Sequence, residues 1–145
     1  MIVPDANLLI YAYSSAFPEH ARAREWVEDT FSGDALVGLP WQTISAFIRI
    51  LTNPNLPGER FSTKEIVSIV HEWLELPNLR VLSPGERHWS IFQQMLLEGQ
   101  ARGPMTTDAQ LAALTIEHGG VLHTTDRDFL RFPGLRWVNP LAAQG

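Results

Sequence analysis

Short apolar stretches alternate with longer segments of helical periodicity along the chain. The apolar stretches predict strands at Met1–Val3, Ala35–Leu39, Leu79–Leu82, Val121–His123 and Arg136–Val138. The segments between them predict helices at Asn7–Tyr13, Pro18–Phe31, 44–51, 62–74, Pro84–Gly99 and Thr107–His118. Strands that alternate with helices in this way form a mostly parallel sheet with helices on both faces. The sequence therefore predicts an α/β fold, a three-layer α/β/α sandwich around a mostly parallel central sheet.

Regular apolar stripes on the central helices predict buried faces. The stripes consist of Ile44, Phe47, Ile48 and Leu51 in one helix, and of Ile66, Ile69, Val70, Trp73 and Leu74 in the next. Both stripes suit a core and a dimer surface equally well. Ser62 and Glu65 have the spacing of a capping box at the start of the second helix. The helix over Pro84–Gly99 is expected to turn the following residues inward: Trp89, Phe92, Met95 and Leu96.

The length of 145 residues fits a single domain over residues 1–145. The chain has no cysteine, which excludes disulfides, thiolate zinc sites and a cysteine nucleophile. No apolar stretch approaches the roughly 20 residues of a membrane span, and the first residues lack the basic region of a secretory signal. We therefore expect a cytoplasmic protein that does not bind membranes. The net charge of −5 argues against binding nucleic acid through a basic surface alone.

Aspartates follow two of the predicted strands and begin one of the predicted helices. Asp5 comes directly after the first strand, Asp126 and Asp128 follow the fourth, and Asp108 lies at the start of the last helix. Because strand carboxyl ends and helix amino ends meet at one edge of such a sheet, we expect these carboxylates to converge. Converging carboxylates repel one another unless a cation neutralises them. Oxygen ligands of this kind suit Mg²⁺ or Mn²⁺.

Each aspartate also has a purely structural explanation when it is considered alone. Asp5 suits the cap of a short helix, and Asp108 complements the dipole of its helix. Asp126 and Asp128 fit a solvated turn. Folding gives no reason to place all of them at one edge, so together they favour a functional site.

Three segments carry motifs that occur together in a known family. They are Val3–Ala12, where Asp5 and Asn7 stand among apolar residues, Thr107–Leu114 and Thr124–Phe129. In this order and spacing they resemble the motifs of PIN-domain ribonucleases. Further segments resemble one branch of the VapC toxins of bacterial toxin–antitoxin pairs: Leu39–Trp41, Phe47–Arg49, Thr52–Pro54 and Phe132–Trp137.

The resemblance implies a PIN-like domain that acts as a metal-dependent endoribonuclease. The residues it implicates in catalysis are the metal ligands Asp5, Asp108 and Asp126, the outer carboxylate Asp128, and the supporting residues Asn7 and Thr125. The implied cofactor is Mg²⁺ or Mn²⁺, and the implied substrate is RNA. The resemblance also implies a VapB-like antitoxin as partner and a homodimer formed through helices.

One departure from the family pattern concerns the metal site. The family usually has a glutamate three residues before the arginine that matches Arg49, and this chain has Ala46 there. Either water replaces the missing carboxylate or another side chain does, and Gln42 lies one helical turn away as a neutral candidate. The departure also keeps a second hypothesis open, in which the chain is a catalytically impaired PIN scaffold that binds a partner or RNA.

Other chemistries have less support. A phosphatase with Asp5 as nucleophile needs a lysine from the later half of the chain, and Lys64 is the only lysine. Neither a phosphate-binding loop nor a serine nucleophile elbow is present. His123, three residues before Asp126, is either a core residue or a further ligand.

Overall fold

The structure is a computed structural model that describes residues 1–142. Its strands are β1 (Ile2–Pro4), β2 (Val37–Pro40), β3 (Leu79–Leu82), β4 (Val121–His123) and β5 (Trp137–Val138). Its helices are α1 (Ala6–Tyr13), α2 (His20–Phe31), α3 (Trp41–Leu51), α4 (Thr63–Leu74), α5 (His88–Glu98) and α6 (Met105–Glu117), with a 3₁₀ helix at Arg127–Arg131. None of the helices in residues 1–142 has the length and apolar character needed to cross a bilayer.

All the predicted strands and helices are present, with ends shifted by a few residues. The largest shift is at α5, which begins at His88 rather than at Pro84. The Glu117 carboxylate accepts hydrogen bonds from the backbone N–H groups of Gly85 and Arg87, at 2.9 and 3.0 Å. Those bonds hold the residues before α5 in a turn. The 3₁₀ helix after β4 was not predicted.

The sheet has the strand order β3-β2-β1-β4-β5, and every neighbouring pair is parallel. The chain builds outward from β1 to β3, then returns to the other side of β1 to form β4 and β5. The strand order therefore reverses between β1 and β4. In open parallel sheets a crevice forms at the carboxyl ends of the strands at such a reversal, and ligands bind there.

Apolar side chains pack on both faces of the sheet. One core lies among α1, α2, α3 and α4, and includes Val37 and Leu39 of β2 and Leu79 of β3. The other lies against α5 and α6, and includes Val3 of β1 and Leu122 of β4. Successive side chains of a strand point to opposite faces, so one sheet supplies both cores. The predicted α/β/α sandwich is confirmed, and its sheet is entirely parallel.

The apolar stripes of α3 and α4 face the first core. The buried residues of the two helices include Ile44, Phe47 and Leu51, and Ile66, Val70 and Trp73. The predicted capping box is present: Ser62 Oγ accepts from the Glu65 N–H at 3.1 Å, and the Glu65 carboxylate accepts from the Ser62 N–H at 3.2 Å. Most of the apolar surface of both stripes is therefore already buried in the core of the chain.

The prediction that Trp89 faces inward is wrong. Met95 is 2% exposed, but Trp89 is 63% exposed. His88, Phe92 and Met95 are at least partly buried and lie four and three residues apart, which is one helical stripe. Trp89 follows His88 by one residue, about 100° around the helix, and so falls off that stripe.

Candidate active site

A cavity of about 190 Å³ opens beside the carboxyl ends of β1 and β4, where the strand order reverses. Its lining comes from the start of α1, from α3, from the start of α6 and from the turn after β4. The lining residues are Asp5, Ala6, Asn7, Gln42, Thr43, Ala46, Arg49, Ile50, Thr107, Asp108, Leu111 and Asp126. The cavity therefore brings together four predicted site residues: Asp5, Asn7, Asp108 and Asp126. A larger cavity, of about 320 Å³, is lined by none of them.

Asp5 lies between β1 and α1 and is held by the neighbouring strand. It occupies the N-cap position of α1, but its side chain makes no capping hydrogen bond. Instead, Asp5 Oδ2 accepts a hydrogen bond from Thr124 Oγ1 at 2.8 Å. The contact follows from strand register. Pro4 at the end of β1 pairs with His123 at the end of β4, so the residues that follow them, Asp5 and Thr124, lie side by side. Burial raises the pKa of Asp5 against the lowering effect of the Thr124 bond, and the charge of Asp126 raises it further.

Thr124 also contacts the second aspartate of the site. Its fully buried Oγ1 accepts a hydrogen bond from the backbone N–H of Asp126 at 3.0 Å. Asp126 caps the 3₁₀ helix, because its Oδ1 accepts from the Asp128 N–H at 2.9 Å. One carboxylate oxygen of Asp126 thus has the structural role in a turn that the sequence suggested. The same residue still lines the cavity.

Asp108 belongs to the first turn of α6, and its surroundings raise its pKa. Burial is the main cause, and the charges of Asp5, Asp126 and Asp128 add to it. Together they raise the pKa of Asp108 to about 6, although Arg131 acts to lower it. An aspartate that complements a helix dipole alone would have a lowered pKa, because the dipole favours the charged form. The raised pKa reflects burial first, and then the neighbouring carboxylates.

Two of the predicted site residues do not line the cavity. Asp128 is exposed and contributes its charge to the environment of Asp108. The Thr125 side chain lies against the Tyr11 hydroxyl. The hydroxyl that contacts Asp5 belongs to Thr124, the residue before the predicted one.

The side of the cavity formed by α3 carries no acidic residue. Ala46 lines it at the position where the sequence lacks a glutamate. Gln42, the suggested substitute, donates from Nε2 to the Thr107 carbonyl at 3.2 Å and so connects α3 to the start of α6. Arg49 also lines the cavity and places a cation near the carboxylates.

The fit of a divalent metal can be judged from these donors. In the part of the chain that the structure describes, no three His, Cys, Asp or Glu side chains stand close enough to hold a metal ion as placed. Asp5, Asp108 and Asp126 nevertheless line one cavity, and burial together with the charges of the other aspartates raises the pKa of Asp108. Hard oxygen donors with room for water suit Mg²⁺, which keeps several waters when it binds. The donor chemistry fits such an ion, held partly through water.

Sequence reasoning missed two residues that shape this site. The role of Thr124 can be recognised only from the register of β4 against β1, and the spacing of the motifs does not give that register. Arg131 lies near enough to lower the pKa of Asp108, and its guanidinium donates to the carbonyls of Asp128 and Gly99 at 3.3 and 3.4 Å. A helical turn after Asp128 would have pointed to Arg131, but the 3₁₀ helix was not predicted.

His123 is half-buried and does not line the cavity. Its ring stacks on Trp26 with centroids 5.5 Å apart and planes at 26°. Its Nδ1 lies 3.1 Å from the Val121 carbonyl, and burial lowers its pKa. The core interpretation of His123 fits this placement.

Comparison with known proteins adds a family likeness along nearly the whole chain. Residues 2–135 match the family described as PIN domain. The chain is 40% identical over 141 residues to Ribonuclease VapC33 of Mycobacterium tuberculosis, a match that covers 97% of this chain and 99% of that protein.

Solved structures share the fold at lower sequence identity. VapBC-1 from nontypeable Haemophilus influenzae aligns with a TM-score of 0.68 at 20% identity, over 98% of this chain and 100% of that one. VapC20 of Mycobacterium tuberculosis, described as a sarcin-ricin loop cleaving toxin, aligns with a TM-score of 0.67 at 16% identity, over 94% and 99%. At these identities the likeness is one of fold.

Proposed function

The chain belongs to the PIN-domain family, within its VapC-like branch, and on this premise we propose that it is a metal-dependent endoribonuclease. In this proposal it hydrolyses phosphodiester bonds of RNA and is neutralised by a VapB-like antitoxin. The observation that carries the proposal is the cavity shared by Asp5, Asp108 and Asp126, in which the pKa of Asp108 rises to about 6. A site that collects negative charge in this way suits a divalent cation and the phosphate that the cation would bind.

The residues of the cavity have distinct parts in the proposed reaction. A bound Mg²⁺ or Mn²⁺ would lower the pKa of a water molecule and neutralise charge on the phosphodiester. Asp5, Asp108 and Asp126 would hold the ion, and Thr124 fixes the orientation of Asp5 through its 2.8 Å hydrogen bond. Asn7 lines the cavity and would orient a ligand.

Two further residues would act from the margin of the site. Asp128 keeps the cavity electronegative from outside its lining, since its charge raises the pKa of Asp108. Thr125, assigned a supporting part by the family motif, would act only through its neighbours.

The test is cleavage of a structured RNA by the purified protein. We expect cleavage with Mg²⁺ or Mn²⁺, none with a chelator, and products that carry 5′-phosphate and 3′-hydroxyl ends. Asp5→Asn keeps an acceptor for Thr124 but removes the charge, and should abolish cleavage. Asp34→Asn, at an exposed position that does not line the cavity, is the matched control. Full activity of Asp5→Asn, or cleavage in the chelator, would refute the proposal.

A second candidate function is a catalytically impaired scaffold that binds RNA or a partner. The α3 side of the cavity favours it, because Ala46 leaves that side without a carboxylate. The same assay separates the two functions. The scaffold predicts RNA binding with no cleavage at any Mn²⁺ concentration, whereas the nuclease predicts cleavage once enough Mn²⁺ is present.

The proposed partner is a VapB-like antitoxin that presents arginine or lysine to the carboxylate cavity. Charge-assisted hydrogen bonds between such a side chain and carboxylates are short and strong. The VapBC description of structures that share this fold supports the pairing. Expression of the chain alone in the cytoplasm should then arrest growth, and Asp5→Asn should relieve the arrest. Equal arrest by both would count against a nuclease toxin.

A homodimer is the proposed solution state. The α3 and α4 stripes are largely buried in the core, so a dimer would have to use other surfaces. Size-exclusion chromatography with light scattering should give twice the mass of the chain at micromolar concentration. A monomer under these conditions would contradict the proposal.

A further inference from the structure

Trp41 stands at the same edge of the sheet as the carboxylates. It is the first residue of α3 and directly follows β2, which pairs with β1. Asp5 directly follows β1, so the two residues leave adjacent parallel strands at their carboxyl ends. Gln42, the residue after Trp41, lines the carboxylate cavity. Trp41 does not itself line the cavity, but it lies at the same edge of the sheet, one residue before the lining begins.

The indole of Trp41 is not packed as those of Trp26 and Trp73 are. Trp41 is 54% exposed, whereas Trp73 is 4% exposed and donates its indole N–H to the Tyr13 hydroxyl at 3.3 Å. Trp26 stacks on His123. Among residues 1–142, Trp41 forms no aromatic pair and its indole N–H makes no hydrogen bond. The folded chain leaves most of this ring to solvent.

Trp41 begins an exposed stripe that leads into the cavity. Trp41, Ser45 and Arg49 are the exposed residues of α3, and they are spaced four residues apart on one side of the helix. The stripe covers about 12 Å of helix axis, at roughly 1.5 Å per residue. Arg49 at its far end also lines the cavity. The stripe thus offers a flat aromatic ring at one end, a guanidinium at the other and a small side chain between them.

We propose that Trp41 is a base-stacking platform, on which an unpaired base of the RNA lies while a neighbouring phosphate enters the cavity. This inference rests on the proposed function and names the substrate class as RNA with unstacked bases beside the cleaved bond. Proteins read single-stranded RNA largely by stacking splayed bases on aromatic side chains. Arg49 is the nearby cation of the stripe and would contact a phosphate.

The charge of the protein explains why such a platform is needed. Affinity for RNA ordinarily comes in large part from phosphate contacts with lysine and arginine. This chain has a net charge of −5, and its cavity collects carboxylates. Stacking attracts the base without requiring a basic surface.

Binding of a short RNA without metal tests the platform separately from cleavage. The probes are a ten-nucleotide oligo(A) RNA and an abasic ribose-phosphate oligomer of the same length, both in chelator at low salt. Trp41→Leu should weaken oligo(A) binding about tenfold, since stacking on one base contributes about 1–3 kcal/mol. It should leave the abasic oligomer unchanged, and Trp41→Phe should retain most of the oligo(A) affinity.

Trp89→Leu is the matched control. Trp89 is 63% exposed, but it lies on α5 and does not line the carboxylate cavity. Its substitution should change neither probe. Circular dichroism and thermal unfolding should show that all variants fold alike, as expected for exposed positions.

Several results would overturn the platform. These are no detectable oligo(A) binding by the unaltered chain, an unchanged affinity in Trp41→Leu, or an equal loss for the base-bearing and abasic oligomers. A change in oligomeric state of Trp41→Leu with unchanged RNA affinity would assign the ring to a protein contact instead. Base-dependent binding through Trp41 without any metal-dependent cleavage would refute the proposed nuclease activity but support the stacking role of Trp41. Failure of one proposal can therefore be distinguished from failure of the other.

Discussion

The cavity has two unlike sides, which we call the sheet wall, formed by Asp5 and Asp126, and the α3 wall, formed by Ala46 and Arg49. On the sheet wall, Thr124 donates a hydrogen bond to the Asp5 carboxylate and accepts one from the backbone N–H of Asp126. On the α3 wall, a methyl group and a guanidinium face the same space. Under the proposed function, this difference means that the sheet wall and α6 would bind the cation, while α3 would be left to contact RNA.

After the loss of cleavage expected for Asp5→Asn, the next largest effect should come from removing the charge of α6 that completes the sheet wall. Asp108→Asn keeps the size of the side chain but removes the carboxylate whose pKa is raised to about 6. We expect RNA cleavage to fall by about 100-fold or more, as when other groups that stabilise a developing charge are removed. Initial rates at saturating Mn²⁺ measure it.

The control for Asp108 is Asp128→Asn. Asp128 is exposed and does not line the cavity, so its substitution should cost less activity. Equal losses in the two variants would mean that the cavity lining does not define the site. Undiminished Mn²⁺ binding by Asp108→Asn in a calorimetric titration would remove Asp108 from the metal ligands.

The rigidity of the sheet wall depends on one buried hydroxyl. Thr124→Val removes the donor to Asp5 and the acceptor of the Asp126 N–H, while it keeps the shape of the side chain. We expect a loss of about 2 kcal/mol in the free energy of unfolding, because buried polar partners lose their hydrogen bonds. Urea denaturation measures this loss.

The neighbouring threonine provides the comparison for Thr124. Thr125→Val affects a side chain that lies against Tyr11 outside the cavity lining, and it should cost clearly less. Thr124→Ser should retain most of the stability. An equal loss in Thr124→Val and Thr125→Val would show that the bond to Asp5 is not special.

The α3 wall can be made to resemble the sheet wall by one substitution. Ala46→Glu adds a carboxylate to the cavity lining at the position where the family usually has glutamate. We expect Mn²⁺ to bind about tenfold more tightly, which corresponds to about 1.4 kcal/mol, and cleavage to begin at lower metal concentration. Isothermal titration calorimetry measures the affinity.

Ala46→Gln is the control for the size of the new side chain. It adds a similar volume without charge and should not tighten Mn²⁺ binding. If Ala46→Glu folds and binds Mn²⁺ no better than the unaltered chain, then another residue already completes the set of ligands.

The smallest predicted effect is on the pH dependence of stability in chelator. The pKa of Asp108 is about 6 in the folded chain, above the ordinary aspartate value of 3.8, so the folded state binds more protons between these values. The free energy of unfolding should therefore fall as pH rises from about 4 to about 6. The contribution is on the order of 1 kcal/mol, because water partly screens Asp108.

Other groups titrate in the same range, so a difference isolates the effect of Asp108. Burial lowers the pKa of His123, which acts in the opposite direction as pH rises. The stability of Asp108→Asn minus that of the unaltered chain should increase between pH 4 and 6 and stay constant above pH 7. A flat difference throughout would show that Asp108 has an ordinary pKa.

Sequence patterns predicted the fold well because its strands and helices are each marked locally. The capping box of Ser62 and Glu65 fixed the start of α4, and the alternation of elements led to the parallel sheet. The convergence of Asp5, Asp108 and Asp126 followed from the same geometry, since all lie at one edge of such a sheet. Local signals and the rules of parallel sheets were enough for these features.

The features that were not predicted depend on contacts between distant parts of the chain. Thr124 and Thr125 have the same side chain, and only the register of β4 on β1 decides which one contacts Asp5. Trp89 follows a residue of the buried stripe of α5. In a helix with so many apolar residues, the sequence does not show which of them face the core. The exposure of Trp41 depends on how α3 is seated after β2, which composition does not encode.

The hydrogen bond between Asp5 and Thr124 joins residues that are 119 positions apart. During translation, the hydroxyl that orients Asp5 is made long after Asp5 itself. Until β4 has inserted beside β1, the growing chain has neither Asp126 nor the hydroxyl that holds Asp5. A chain that stalls, or is cut, before β4 therefore has no assembled site. The order of the strands delays any activity of this cavity until β4 has been made and has paired with β1.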